Sequence, residues 1–199
     1  MPRPAIRLAV AEDAAQVCAI YAPFCTETAV SFEEVPPSEE EMRRRITGTL
    51  ERFPWLVAES DGEILGYVYA RPYRERAAYR WTTEATAYVR DGQRRRGVAR
   101  ALYTSLFQIL TLQGFCTVIA GITLPNPASV GLHEAMGFRP SGVSRAVGYK
   151  HGAWHDVGWW QMSLCDLPPV PTEPRGLPVV METDGWSAAL AAGLPLLRG

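Results

Sequence analysis

The sequence lacks any apolar run approaching the roughly 20 residues that a membrane-spanning helix requires. The N-terminus also lacks the apolar core of a secretory signal peptide, so we expect a protein of the reducing cytoplasm that does not bind membranes. The four cysteines are not spaced as metal ligands, and we expect no bound metal. The net charge of −1 argues against a general nucleic-acid-binding protein.

The common nucleotide-binding fingerprints are absent as well. No Gly-x-x-x-x-Gly-Lys-Ser/Thr string occurs, and no Gly-x-Gly-x-x-Gly string follows the first strand. What is present is a chain of 199 residues, 47% of them apolar, which suits one domain with a full core. We place that domain at residues 4–166. Prolines are frequent in residues 167–199, and we expect an extended tail there with a short helix near 187–192.

A basic glycine loop, residues 90–97, stands between an apolar strand-like run and an apolar helix-like run. Its core is Arg94, Arg95 and Arg96 followed by Gly97. The first N–H groups of a helix lack intrahelical partners and carry partial positive charge, so such a junction binds phosphate. Gly97 has no Cβ and lets an anion approach the backbone. The alternative is a solvated arginine face or a nucleic-acid patch, which the flanking periodicities favour less. We call residues 90–97 the phosphate loop.

Hydrophobic periodicity predicts a mixed α/β domain. Asp13 is expected to cap a first helix that Pro23 stops, and Ser38 with Glu41 fits a capping box for a second helix to about residue 52. A short extended piece is expected at 28–32. The predicted strands are 6–10, 55–59, 63–70, 82–89, 115–122, 142–149 and 154–164, and the later helices are 98–113 and one that opens at 126–129 and ends before 137.

Alternation along the predicted strand 82–89 separates two faces. Glu84 shares one face with Thr86 and Tyr88, while small apolar residues occupy the other. Arg80 has the same parity if the strand extends back to it. A carboxylate and a phenol therefore project from one face just before the phosphate loop.

Two motifs together resemble those of the GNAT (GCN5-related N-acetyltransferase) superfamily. The phosphate loop reads Gln/Arg-x-x-Gly-x-Gly/Ala, which is similar to the acetyl-CoA pyrophosphate loop of that superfamily. The segment NPASVGLHEAMGF, from Asn126 to Phe138, resembles the one that closes the acetyl-CoA site. The strings RFPWLVAE, AYRWTTEATAYV, LPNPASVGLHEAMGF and GYKHGAWHDVGWWQ further resemble the phosphinothricin and methionine sulfoximine N-acetyltransferases, and the resemblance covers residues 6 to 165.

The resemblance implies the GNAT fold, an α/β domain whose mixed central sheet is flanked by helices. In that fold the strand before the phosphate loop lies parallel to the strand after its helix. The resemblance also implies acetyl-CoA as co-substrate, with the Val89 N–H as an oxyanion donor. Asn126 would bond the pantetheine arm, although an Asn at a helix start also caps the helix. The implied coenzyme contacts are Tyr88, Val89, Arg94, Arg95, Arg96, Gly97, Val98, Ala99, Arg100, Asn126 and Ser129.

Four residues carry the implied chemistry. Glu84 occupies the family's catalytic position in Trp-Thr-x-Glu and would take a proton from the acceptor ammonium; the alternative is a solvent-facing strand residue. His133 follows Asn126 by two helical turns and could protonate the leaving thiolate, and a packed histidine is an equal alternative. Arg80 would bind an anionic group of the acceptor, and Tyr88 would line the acceptor pocket or simply pack.

The resemblance therefore implies an acetyl-CoA-dependent N-acetyltransferase for the α-amine of a small amino-acid analogue, such as phosphinothricin or methionine sulfoximine or sulfone. Transfer would be direct, in a ternary complex. The alternatives are an acetyltransferase for another amine, a polyamine or a protein N-terminus, and a non-catalytic acyl-CoA sensor. Relatives pair through the region of the tryptophan-rich last strand, so a homodimer is expected, with no nucleic-acid partner.

Overall fold

The computed structural model describes residues 4–197. One sheet of seven strands is ordered β1-β2-β3-β4-β5-β7-β6. Within the described range, no helix is long and apolar enough to cross a membrane. The strands are β1 Ala5–Leu8, β2 Trp55–Ser60, β3 Glu63–Pro72, β4 Thr82–Val89, β5 Thr117–Leu124, β6 Arg139–Lys150 and β7 Ala153–Ser163, and the helices are α1 Ala14–Thr26, α2 Glu39–Leu50, α3 Val98–Gln113, α4 Pro127–Ala135, α5 Leu177–Met181 and α6 Trp186–Ala191.

Strand alternation sends side chains to two separate cores, one on each face of the sheet. Trp55, Val57 and Tyr67 pack under α1 and α2, whereas their neighbours Leu56 and Val68 pack under α3. β1 to β4 run antiparallel, and β4 and β5 are parallel. The α/β class, the mixed sheet and the parallel pair are thus confirmed.

Local turn chemistry explains why several predicted boundaries are correct. Asp61 and Gly62 adopt positive φ angles of 55° and 76° between β2 and β3, as a two-residue hairpin loop requires. Gly114 ends α3 in the left-handed conformation, at φ 93°. The Ser38 hydroxyl accepts a hydrogen bond from the Glu41 N–H at the start of α2.

Three local predictions were wrong. Pro23 lies inside α1, which continues to Thr26 because a proline removes only one N–H donor and the last turn is anchored by the buried Cys25. Asp13 makes no side-chain cap to α1, since its carboxylate accepts from the Arg7 guanidinium at 2.6 Å and from the Val10 N–H at 2.8 Å. Residues 28–32 form turns and bends rather than an extended piece.

The end of the chain also departs from the expected extended tail. Residues 168–197, which we call the C-terminal segment, form α5, α6 and a short 3₁₀ turn at Leu194–Leu196. The early prolines precede α5, and beyond them Leu177 and Val180 are buried against α3 and the sheet. Apolar side chains therefore dock this segment on the domain, which composition alone did not reveal.

Candidate active site

A gap opens between the two parallel strands at the centre of the sheet. β4 and β5 pair only at Thr82–Thr117, Thr83–Val118 and Glu84–Ile119. Beyond Glu84, β4 pairs with β3 alone and β5 with β7 alone. Because β4 has no strand partner on one side from Ala85 to Val89, its backbone groups there can pair with an extended ligand.

The phosphate loop stands at the open end of this gap. Gly97 is the N-cap of α3 with φ 82°, and no side chain caps the first N–H groups of the helix. Arg95 also has a positive φ, 62°. Arg96 donates to Gln93 at 2.8 Å, so that two loop side chains bind each other. The predicted donors Val98, Ala99 and Arg100 form the first turn of α3. This arrangement presents unpaired backbone donors and several arginines to an anion.

The segment that begins at Asn126 likewise presents backbone groups at the start of a helix, α4. The Asn126 side chain accepts from the Ser129 N–H at 3.1 Å, which is the capping role left open by the sequence. β5 ends at Leu124, and Asn126 lies two residues further along the chain. The start of α4 therefore follows β5, as the phosphate loop follows β4, and these are the two strands that diverge. The phosphate loop and the Asn126 segment, both predicted from the sequence, thus follow the two strands that border the same gap.

His133 is buried on the α3 side of the sheet. Its Nδ1 lies 2.8 Å from the Ser129 carbonyl oxygen and its Nε2 lies 3.2 Å from the Tyr103 hydroxyl. A carbonyl only accepts, so Nδ1 carries the proton and Nε2 accepts from Tyr103. Burial lowers the pKa of His133, partly opposed by the bond to Ser129, so the ring is neutral at pH 7. Both ring nitrogens are engaged inside the protein, which favours the packed alternative.

Glu84 has a partner that the sequence reasoning missed. Arg71 of β3 stands directly opposite it in the antiparallel register and donates a hydrogen bond to its carboxylate at 2.6 Å. The Glu84 side chain is only 15% exposed and that of Arg71 is 53% exposed. The pair lies at the last point where β4 and β5 are joined, and it places a half-exposed guanidinium beside the Glu84 carboxylate.

The face that carries Glu84 is otherwise aromatic. Tyr88 lies against Tyr21 and Phe24, each at 4.9 Å between ring centroids, and burial raises its pKa well above the usual value. Trp55 stacks on Tyr69 at 4.4 Å. The Tyr88 ring therefore packs against aromatic neighbours, and its place in the acceptor pocket stays a prediction.

A cavity of about 610 Å³ lies on this face between α2 and the β2–β3 hairpin. Arg71 and Tyr69 line it on the side nearest Glu84, and Arg45 lines it beneath α2. The cavity lies beside the β4–β5 gap and not over it, so Arg71 connects the two. An acceptor molecule reaching Glu84 from this side would meet a guanidinium first.

The Arg80 side chain does not reach Glu84 or the cavity under α2. β4 begins at Thr82, so the condition for Arg80 to share the Glu84 face is not met. Its guanidinium stacks over Trp81, donates to the Ala77 carbonyl and bonds Glu173 of the C-terminal segment at 2.8 Å. The 3₁₀ turn at Ala77–Tyr79 redirects the chain just before the strand, which parity counting could not anticipate.

Lys150, a second cation near the acceptor face, is also engaged elsewhere. It is buried, and its ammonium donates to the Ser31 and Glu33 carbonyls at 2.6 and 2.8 Å. It thereby holds the connection between α1 and α2 in place. Of Arg71, Arg80 and Lys150, Arg71 is the one that contacts Glu84. The sequence contained one indication of this position: Arg71 has the same strand parity as Tyr67 and Tyr69 on β3, so the three side chains share a face.

Diverging parallel strands, a helix start without a side-chain cap and a carboxylate thus lie together in one part of the sheet. Comparison with known proteins gives the family of the chain. A family profile described as an acetyltransferase (GNAT) domain matches residues 6–159. The chain belongs to the GNAT acetyltransferase family.

Particular relatives are named more narrowly. The phosphinothricin N-acetyltransferase of Streptomyces viridochromogenes is 44% identical over 170 residues, which span 85% of this chain and 93% of that protein. The L-methionine sulfoximine/L-methionine sulfone acetyltransferase of Pseudomonas aeruginosa is 34% identical over 161 residues, 80% of this chain and 94% of that protein. The phosphinothricin acetyltransferase of Sinorhizobium meliloti, solved in complex with AcCoA, superposes with a TM-score of 0.81 at 36% identity, covering 85% of this chain and 94% of that one.

Proposed function

We propose that the protein transfers the acetyl group of acetyl-CoA to the α-amine of a small amino-acid analogue, with phosphinothricin and methionine sulfoximine or sulfone as the leading acceptors. The observation that carries the proposal is Glu84, held by Arg71 at the point where β4 and β5 part. The names of the relatives support the acceptor class.

The coenzyme side of the site fits acetyl-CoA. An extended pantetheine arm suits the unpaired edge of β4, where the Tyr88 and Val89 backbone would bond it. A pyrophosphate suits the N-terminus of α3, where no side chain caps the first N–H groups and the arginines of the phosphate loop add positive charge. Ser129 and Asn126 at the start of α4 would border the same arm.

The chemistry then needs one base. An amino acid is an ammonium ion at pH 7, so Glu84 accepts a proton from it, directly or through water. The free amine attacks the thioester carbonyl and a C–N bond forms. The C–S bond then breaks, the attacking nitrogen gives up its extra proton to water, and the leaving thiolate takes up a proton. The Val89 N–H would stabilise the oxyanion of the intermediate. The hydrogen bonds of His133 favour water as the source of that last proton, with His133 as the second candidate.

Arg71 is the cation we assign to the acceptor. Its side chain is half-exposed and borders the cavity under α2. A guanidinium binds carboxylate and phosphinate groups in bidentate fashion, which matches the acidic groups of the proposed acceptors. Arg80, the residue indicated by the sequence, is the alternative.

A transfer assay across a panel of amines tests the function. Purified protein with acetyl-CoA should acetylate phosphinothricin or methionine sulfoximine well above the rate with polyamines or peptides. Turnover of polyamines or peptides alone would overturn the acceptor assignment and keep the chemistry. Coenzyme A binding without turnover of any amine would instead support a non-catalytic sensor.

We also propose a homodimer that acts in the cytoplasm. β6 is an edge strand of the sheet. Tyr149 on β6 and Trp154 opposite it on β7 are 58% and 66% exposed. Large exposed aromatics at an open strand edge are typical of a covered interface. All four cysteines are free thiols, which suits a reducing compartment. Sedimentation at micromolar concentration should give a dimer, and a monomer alone would refute it.

A further inference from the structure

The C-terminal segment runs along the whole length of α3, from its last turn to its first. At the far end, the side chain of Gln113 donates to the Arg175 carbonyl at 2.9 Å. Midway, the Ser105 hydroxyl donates to the Leu190 carbonyl at 2.7 Å and accepts from the Gly193 N–H at 3.0 Å. Gln113 and Ser105 are both buried, so these bonds are specific features of a docked segment.

The contact at Gly193 is a backbone-to-backbone approach. Its φ angle is −85°, which any residue adopts, so conformation does not explain the glycine. A Cβ atom at this position would instead collide with the carbonyl group of Ala101 in the first turns of α3. The absence of a side chain at Gly193 is therefore what lets the segment lie this close to the helix.

The last described turn of the segment reaches the phosphate loop itself. The Leu196 carbonyl oxygen lies where a Cβ of Gly97 would be, so the loop and the segment touch at that residue. Arg90 anchors the start of the loop by donating to the Ile64 carbonyl at 2.7 Å. Further along, Arg94 is largely exposed, and Arg95 and Gly97 both hold left-handed backbone conformations. A loop of this kind loses conformational entropy when it binds a ligand, unless another element has already ordered it.

We propose that the docked C-terminal segment is a positioning element for the coenzyme, one that holds the phosphate loop and the first turn of α3 in the conformation that receives the pyrophosphate. This rests on the proposed function, since it takes the loop as the acetyl-CoA site. The segment lies outside residues 6–159, which match the GNAT family profile, so that profile does not account for it. It acts on binding of the coenzyme and not on proton transfer at Glu84.

Two substitutions separate this role from general stability. Gly193→Val introduces a side chain against Ala101 and should lift the last turn, and Ser105→Ala removes two hydrogen bonds to the segment without adding bulk. Val179→Ala, on the exposed side of α5, is the matched control. Calorimetric titration with coenzyme A should show the Kd raised roughly 5-fold or more in both variants, the low end of typical coupling between linked sites. The control should stay within about 2-fold, which is smaller than that coupling.

A second readout uses reciprocity. If the segment favours coenzyme binding, the coenzyme favours the docked segment by the same factor, so coenzyme A should slow hydrogen exchange across residues 186–197 in the wild-type protein. The kcat at saturating acetyl-CoA and the acceptor KM should not change in Ser105→Ala. An unchanged or lowered Kd in folded Ser105→Ala and Gly193→Val would overturn the proposal, the lowered value indicating a segment that blocks the loop. A wild-type protein that binds no coenzyme A would overturn the proposed function as well.

Discussion

The two sides of the proposed site are built in different ways. The coenzyme side, from β4 through α3 and β5 to α4, consists of backbone groups from segments that are short and continuous in the chain. The acceptor side, under α1 and α2, consists of side chains from β3, β4 and α2 that are distant in sequence. The first kind of site depends on glycines, caps and strand ends, whereas the second depends on register. Four substitutions test whether the two sides act separately.

The largest effect is expected on the acceptor side, at Glu84. Glu84→Gln keeps the shape and removes the base, so kcat should fall by ~10²-fold or more at neutral pH. The residual rate should climb with pH, because more of the amine is then deprotonated in bulk water. Coenzyme A affinity, measured by calorimetry, should be unchanged. Near-normal turnover at pH 7 would make Glu84 a structural residue.

Arg71→Ala should act on the same side, on binding of the acceptor and also on kcat, because it removes the hydrogen-bond partner of Glu84. Loss of a charge-assisted hydrogen bond costs about 1.5–3 kcal/mol, so the KM for phosphinothricin should increase roughly 10- to 150-fold while that for acetyl-CoA is spared. Arg80→Ala is the matched comparison, since Arg80 is paired with Glu173. A large KM effect in Arg80→Ala with none in Arg71→Ala would reverse our assignment.

Gly97→Val tests the coenzyme side. A β-branched residue in the left-handed conformation costs roughly 1–2 kcal/mol, so the loop of the free variant should relax to another conformation. Coenzyme A would have to restore the left-handed one, which corresponds to roughly a 5- to 30-fold weaker Kd. The same change also strikes the Leu196 carbonyl, so part of the effect comes from the C-terminal segment. Gly62→Val in the β2–β3 turn has a similar φ, 76°, and open space around it; it should lower stability alone. Equal coenzyme affinities in the two variants would contradict the loop assignment.

The smallest effect concerns His133, on α4 of the coenzyme side. Its pKa is lowered in the folded state, so the unfolded chain binds more protons near and below its ordinary pKa of about 6.5. Folding stability should therefore fall as the pH falls through that value, by less than about 1.4 kcal/mol per pH unit. Urea unfolding of His133→Gln should show a flatter dependence between about pH 5 and pH 8. A drop in kcat of ~10²-fold in the same variant would restore the catalytic alternative.

Much of the coenzyme side was readable from the sequence because it depends on local rules. The bounds of β4 and α3 and the stop at Gly114 match the structure, since strand alternation, helical periodicity and a C-terminal glycine act within a few residues. The acceptor side was harder. Arg71 was missed because its role depends on which residue of β4 it faces, and that is decided by the register of the hairpin.

The sequence by itself determined the order of strands and helices, the phosphate loop and the family resemblance, because these depend on residue types at short, regular spacing. Only the tertiary structure decided which charges meet. In the folded protein Arg80 pairs with Glu173, Arg71 pairs with Glu84, and His133 is buried against Tyr103. It also turned a proline-rich end into a segment docked on α3, because the free energy of burying its few apolar side chains depends on a surface that exists only after the domain has folded.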